Sequence, residues 1–256
     1  MTSAAALSRI DITERFFPEA RYGGFTDVDG TVAFYVRVNA LLHPADTLLD
    51  VGCGRGRYGE DPVQFRRELR IFRGKVRRVI GIDVDTAGSI NPYIDEFHRI
   101  EGPTWPVETA SVDVVVCDWV VEHLEEPRTF FAEARRVLRP GGRLCIRTTN
   151  LASYVGLVTR LMPNRYHARV LTRTGAARAE QDVFPTFHRA NTVGALRRLL
   201  SGAGFESHVY GFDAEPGYLR FSPIAYWLGV MHQRLAPRRI RPYLFAFARV
   251  PERTAA

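Results

Sequence analysis

The residues best placed to do chemistry lie between Leu48 and Glu60, in the run LLDVGCGRGRYGE. Asp50 falls at the end of a short apolar stretch and is followed by Gly52, Cys53, Gly54 and Gly56. Glycines at this spacing let the backbone turn tightly and approach a ligand without a Cβ clash. The helix that follows such a turn offers free N–H groups. A second carboxylate, Asp83, closes the apolar run RVIGID roughly thirty residues downstream. An acidic group at a strand end can accept hydrogen bonds from both hydroxyls of a ribose. Together these residues describe a site for a nucleoside. The same geometry serves NAD, so they leave the nature of the nucleoside ligand open.

Elements must hold those groups in place. Thr47–Val51 (TLLDV) reads as a first strand and Arg78–Asp83 as a second. A weaker third lies near Phe97–Ile100, a fourth at Val112–Cys117 and a fifth at Arg143–Thr148. Each is a short continuous apolar run, as expected of strands buried on both faces. Between them the polar, Arg-rich stretch to Phe72 and the segment Pro127–Leu138 read as helices, and Pro140-Gly141-Gly142 stops the latter. Asp29 can cap a helix over Thr31–Leu42, ended by His43-Pro44. The strand–helix alternation predicts a parallel α/β sheet. After Asn150 the rhythm breaks; Leu151–Met162 reads as one helix. It resumes with a helix capped by Asn191 or Thr192 and running to about Ser201. Strands follow at Glu206–Phe212 and Leu244–Val250, with a partly helical, apolar and basic stretch from Gly217 to Pro242 between them.

Bulk properties bound the function. The formal charge is +7 and the isoelectric point about 9.7, which favours acidic partners. The basic residues are nearly all arginine, with Lys75 the lone lysine, and are scattered, so the plainer reading is a solvated surface. Cys53, Cys117 and Cys145 sit in apolar surroundings without CxxC spacing, which argues for a reducing compartment and against a zinc site. The N-terminus lacks a signal-peptide pattern, and no apolar run reaches the roughly 18 residues of a spanning helix. The expectation is a cytoplasmic protein of one domain, with no statement on oligomeric state.

Three motifs in order sharpen the reading. LLDVGCGRG is followed by SVDVVVCDWVVEHL and then by VLRPGGRLCIRT. Over Asp46–Thr149 this resembles class I S-adenosylmethionine-dependent methyltransferases, in which hhDhGCGxG, hxEHh and hLRPGGxhhh recur at this spacing. The resemblance implies a Rossmann-like, doubly wound, seven-stranded sheet, mostly parallel with an antiparallel last strand. It also implies helices on both faces and a substrate-covering insertion after strand five. Residues 1–45 would form an N-terminal helical lid and 46–150 the cofactor-binding core. Residues 151–190 would form the substrate cap and 191–256 the rest of the sheet and its helices.

It implies site roles too. Asp50, with Gly52 and Gly54, would orient the amino end of the methionine moiety of S-adenosylmethionine, and Asp83 would bind the ribose. Ile82 or Val84 would pack on adenine, with Glu101 roughly where an acidic residue meets the adenine amine. Asp118 and Trp119 would line the methionine side. Some members bind a metal through ExxEH; Trp119 stands where the first Glu would be, so no metal is expected. His123 is a candidate base, weighed against a structural role for Glu122 and His123. His167 and His188 fall in the segment that covers the acceptor in this family and are further catalytic candidates. Tyr166, Asp182 and Arg189 are lesser ones. The stretch Arg21–Tyr35 reads either as a lid or as a turn with a helix cap.

Methyl acceptors divide by motif. Enzymes acting on exocyclic base amines carry N/D-P-P-Y/F after strand four, and pyrimidine C5 enzymes need Pro-Cys; this chain has Cys117-Asp118-Trp119-Val120 without either. RNA is therefore the minor reading. The full chain, including TTN after strand five and FPTFHRANT, resembles bacterial methyltransferases encoded beside glycosyltransferases, which points to an oxygen of a saccharide, lipid-linked glycan or secondary metabolite. The segment YLRFSPIAYWLGVMHQRLAPRRIRP either touches a membrane surface peripherally or packs on the sheet with arginine outward. A methyltransferase-fold binding subunit without catalysis is the alternative outside enzymology, and the intact Asp50, glycines and Asp83 count against it.

Overall fold

A computed structural model describes residues 11–156 and 185–252. Seven strands form one sheet: β1 Thr47–Val51, β2 Arg78–Asp83, β3 Glu96–Arg99, β4 Val112–Asp118, β5 Leu138–Thr149, β6 Glu206–Phe212 and β7 Tyr243–Arg249. Their order is β3-β2-β1-β4-β5-β7-β6, with β7 antiparallel to both neighbours and the first five parallel. The chain order reverses beside β1, which is where open α/β sheets bind ligands at their carboxyl ends. This is the doubly wound architecture expected from the alternation of apolar runs.

Helices fully within the described residues are α1 Ile12–Phe16, α2 Gly30–Leu41, α3 Gln64–Arg70, α4 Pro127–Val137, α5 Val193–Gly202 and α6 Pro223–Leu235. Alternate strand residues face opposite sides, so each strand feeds two cores. On one face Leu49, Val51, Ile82, Val115, Leu144 and Ile146 pack with Phe131 and Ala134 of α4 and Leu196 and Leu200 of α5. On the other, Leu48, Val114, Val116, Cys145 and Phe245 pack with Phe34, Tyr35 and Val38 of α2.

Asp29 caps α2 as its sequence position suggests: Oδ1 accepts from the N–H groups of Thr31 (2.8 Å) and Val32 (2.9 Å). α2 is a wall of the core. The stretch after the glycine turn is not one helix to Phe72. It is a 3-10 turn, Arg57–Glu60, then α3, and the break falls at Asp61-Pro62, because a residue before proline is held extended. Conversely, Pro140-Gly141-Gly142 ends α4 but not the sheet. Gly141 takes φ 78°, and the β4–β5 ladder shifts register there and resumes at Val114–Arg143, so β5 begins at Leu138. The helix expected over Leu151–Met162, and most of the cap segment, lie outside the described residues.

Candidate functional site

The site lies at the tips of β1, β2 and β4. The turn after β1 is sewn to β2: the N–H groups of Gly52 and Cys53 donate to the Ile82 carbonyl at 2.8 and 3.3 Å. Gly52, Gly54 and Gly56 all have positive φ, at 72°, 49° and 77°. What a side chain there would meet separates them. A Cβ on Gly52 would lie 2.4 Å from Val120 Cγ2, and one on Gly56 would lie 2.5 Å from Asn91 Oδ1. Both glycines are demanded by the protein's own packing. A Cβ on Gly54 would meet nothing within 4 Å. This is the backbone approach a ligand needs.

Two carboxylates flank that opening and are held differently. Asp83, buried at the end of β2, accepts from Gly54 N at 2.9 Å on Oδ2 and from Asp85 N at 2.9 Å on Oδ1. Each oxygen keeps a second lone pair for an incoming donor. Asp50 lies in register with Gly81 and Val116 and shares the α2 side of β1 with Leu48. Burial, then the nearby charge of Asp118, pushes its carboxyl up to about 7, with Arg70 pulling the other way. A carboxylate in that condition gains from any cation placed beside it.

The loop itself is braced by a residue the sequence reading passed over. Asn91 Nδ2 donates to the carbonyls of Cys53 (3.0 Å) and Gly54 (3.2 Å). Cys53 is buried, and burial with Asp50 and Asp83 nearby pushes its thiol far up, so it acts as packing. Val84 stands exposed beside Asp83, and Glu101 is exposed beyond the end of β3.

Asp118, expected to line the methionine side, is engaged in an ion pair. Its carboxylate takes two bonds from Arg147 of β5, Nε to Oδ1 at 2.6 Å and Nη2 to Oδ2 at 2.7 Å, and a third from the Tyr35 hydroxyl at 2.8 Å. Arg147 also donates to Thr31 Oγ1 at 2.9 Å. Burial would raise the Asp118 pKa, but Arg147 overrides it and holds the carboxyl below its usual range. The pair is structural, so Asp118 borders the site without a free charge to offer. Trp119 follows at φ 60°, a strained value for a bulky residue, with its ring edge-on to Tyr243 at 5.3 Å and Arg147 at 5.3 Å from its centroid. Arg147 had a signal in the sequence, a charge inside the apolar run RLCIRT. Such a residue needs a buried partner.

Two of the three candidate histidines come together. The Glu122 carbonyl accepts from both Phe187 N (2.9 Å) and His188 N (3.1 Å), which draws residues 187–188 to the tip of β4. His123 Nδ1 contacts the Pro185 carbonyl at 2.8 Å. Burial, then His123, lowers the His188 pKa, and its Nδ1 is buried without a partner. Beneath them the Glu122 side chain is buried and accepts from Thr148 Oγ1 at 2.8 Å, and Asn191 Nδ2 donates to that hydroxyl at 2.8 Å. The Glu122 carboxylate is thus engaged within the fold. Arg189 turns away to the Glu125 carbonyl at 2.6 Å. His167, Tyr166 and Asp182 lie outside the described residues.

Comparison with known proteins gives consistent relationships. A methyltransferase domain family matches residues 49–146. A probable S-adenosylmethionine-dependent methyltransferase of Mycolicibacterium smegmatis is 38% identical over 130 residues, 48% of this chain and 46% of that protein. A malonyl-[acyl-carrier protein] O-methyltransferase of Hahella chejuensis is 54% identical over 109 residues, 40% of this chain and 36% of that protein. The chain therefore spans less than half the length of either relative. The solved structure of a SAM-dependent methyltransferase from Methanosarcina mazei shares the fold, with TM-score 0.52 and 18% identity over 84% of this chain and 97% of that one.

The Arg147–Asp118 pair generates a stability prediction. Arg147→Met should cost about 3–5 kcal/mol by stranding a buried carboxylate. The double variant Asp118→Asn, Arg147→Met should recover most of that loss. Urea unfolding monitored by circular dichroism measures both; equal losses in the two variants would contradict a buried charge pair.

Proposed function

We propose that residues 49–146, which match a methyltransferase domain family, form a class I methyltransferase domain, and that this protein moves a methyl group from S-adenosylmethionine to a small-molecule acceptor. The acceptor atom is an oxygen of a saccharide, lipid-linked glycan or secondary metabolite. The observation that carries the reading is the open face of Gly54 set between Asp50 and Asp83. Bound there, the cofactor supplies a methyl group activated on a sulfonium. Asp83 offers its remaining lone pairs to the ribose hydroxyls, and Asp50 offers its carboxylate to the ammonium of the amino-acid end. Val84 presents an apolar side chain for adenine, and Glu101 a carboxylate past the neighbouring strand.

Little more is required of the protein than alignment and removal of one proton. A hydroxyl acceptor loses that proton on methylation. His188, kept unprotonated at neutral pH by burial and by His123, is the group assigned to take it. His123, half-buried and joined to the Pro185 carbonyl, positions the segment that carries His188.

Isothermal titration with S-adenosylhomocysteine tests the cofactor half. The wild type should bind, and Asp83→Ala should bind at least about tenfold more weakly, as loss of a charge-assisted hydrogen bond requires. Unchanged affinity in the variant would remove the ribose from Asp83, and absence of wild-type binding would end the methyl-transfer reading.

The raised Asp50 pKa adds a pH dependence. In the free protein the neutral carboxyl is favoured up to about pH 7, whereas the ammonium requires the charged form. Affinity should therefore fall as pH drops from 7 to 5, by about tenfold per unit at most. By the same linkage the folded free protein loses stability from this group as pH rises from the ordinary aspartate range through about 7. Asp50→Asn should bind more weakly, flatten the affinity profile and melt higher than wild type at pH 8. A pH-independent wild-type affinity would place the ammonium elsewhere.

The acceptor half is read by transfer of labelled methyl to a panel of hydroxyl compounds. His188→Ala should lower turnover about a hundredfold while leaving S-adenosylhomocysteine affinity within about twofold. The opposite pattern would move His188 to the cofactor side.

A further inference from the structure

Helix α6 is apolar on two opposite faces, and only one of them is covered by the described residues. Tyr226, Gly229 and Val230 face inward, and Tyr226 and Val230 pack with Phe17, Ile12 and Phe16. Ile224, Trp227, Leu228 and Leu235 face outward, with 74%, 49%, 56% and 72% of their surface exposed. With half-buried Met231 they recur at offsets of three, four, seven and eleven residues. At 100° per residue, that places all five within an arc of about 100°. Phe221, just before the helix, is 67% exposed and extends the stripe. An exposed stripe of this kind marks a binding surface rather than scattered apolar residues.

The charges around it say what binds. From Gly217 to Pro242 the chain holds five arginines and neither aspartate nor glutamate. Arg220 precedes the helix; Arg234 lies in its last turn, and Arg238 and Arg239 follow it, all exposed. None of these four forms an ion pair with the described residues. The sequence pattern allowed either a membrane contact or a helix packed on the fold with arginine outward. The structure combines them differently: the inner face packs, the outer face is apolar, and the arginines sit at the two ends. An apolar stripe carrying a tryptophan and flanked by exposed arginines is the surface of a helix lying in the plane of an acidic lipid bilayer. At 13 residues α6 is roughly 20 Å long, too short to span the hydrocarbon core. Among the described residues no helix is long and apolar enough to cross a membrane.

We propose that α6 docks this protein on membrane surfaces rich in anionic lipid, with Phe221, Ile224, Trp227, Leu228 and Leu235 entering the headgroup boundary and Arg220, Arg234, Arg238 and Arg239 meeting the lipid headgroups. The proposal stands independently of methyl transfer and of the acceptor's identity.

Co-sedimentation with extruded vesicles tests it on the full chain. The protein should sediment with equimolar phosphatidylglycerol–phosphatidylcholine vesicles and stay in the supernatant when the vesicles are pure phosphatidylcholine. An arginine near an anionic surface gains about a fivefold preference, so Arg234→Gln, Arg238→Gln, Arg239→Gln together should weaken partitioning about a hundredfold at low salt. Trp227→Ser with Leu228→Ser should weaken it at least about tenfold, because less apolar area enters the boundary. Wild-type tryptophan emission should shift to the blue on adding anionic vesicles, and the shift should vanish in Trp227→Phe. Unchanged melting temperatures in the variants show that folding is intact. Absence of partitioning, equal partitioning onto neutral vesicles, or retained partitioning in folded variants would each overturn the proposal. So would a wild-type dimer that Trp227→Ser, Leu228→Ser dissociates, since the stripe would then belong to a second copy of the chain.

Discussion

The buried pair of Arg147 and Asp118 is the constraint on which the arrangement of this protein's upper surface depends. Both charges are almost wholly removed from water, at 4% and 9% side-chain exposure, so each must be satisfied by the other and by nearby dipoles. The bidentate geometry leaves no slack between the tips of β4 and β5. Tyr35 and Thr31 complete the pair, and both belong to α2. One ionic contact thus joins the two strands that border the site to the helix that walls its core. The rings of Phe34, Tyr35 and Trp119 pack around the guanidinium, which shields the pair and holds Trp119 in its strained turn.

A consequence follows for the neighbouring carboxylates. Asp118 stays ionised because Arg147 neutralises it; Asp83 is steadied by two backbone N–H groups. Among the described residues Asp50 has neither kind of support. It sits beside two negative groups with Arg70 as the nearest opposing charge, and its proton is held to about pH 7. Burying a carboxylate this way costs stability, and proteins tolerate such costs where a ligand recovers them. The contrast among three neighbouring aspartates, more than any single residue, supports the assignment of Asp50 to a cation and Asp83 to hydroxyl donors.

Elsewhere the same reasoning separates structure from function among residues of one type. Gly52 and Gly56 are glycines because Val120 and Asn91 fill the space a side chain would need, and Gly54 alone of the three opens outward. Glu122 and His123 share a motif, yet Glu122 is buried under Thr148 and Asn191, while His123 meets the Pro185 carbonyl beside His188. On α6 the two apolar faces differ only in what lies against them, and a linear pattern cannot tell a covered face from a bare one.

Much of the fold was legible because parallel strands buried on both faces leave continuous apolar runs, which marked β1, β2 and β4 to within a residue. Proline and glycine misled where their effect is tertiary: Pro62 broke a helix read as continuous, whereas Gly141 bent a strand that carried on. The glycine turn and the acidic strand ends were visible for the same local reason, since backbone conformation and strand termini are properties of short segments. Which carboxylate is free was not. Asp118 and Arg147 are 29 residues apart in the chain, and only the pairing of β4 with β5 sets them face to face. Sequence determined the strands, the turn and the kinds of charge available near them. Tertiary structure decided which charges cancel and which remain to bind, because Coulomb interaction depends on distance in space and on burial, and neither is encoded by position along the chain.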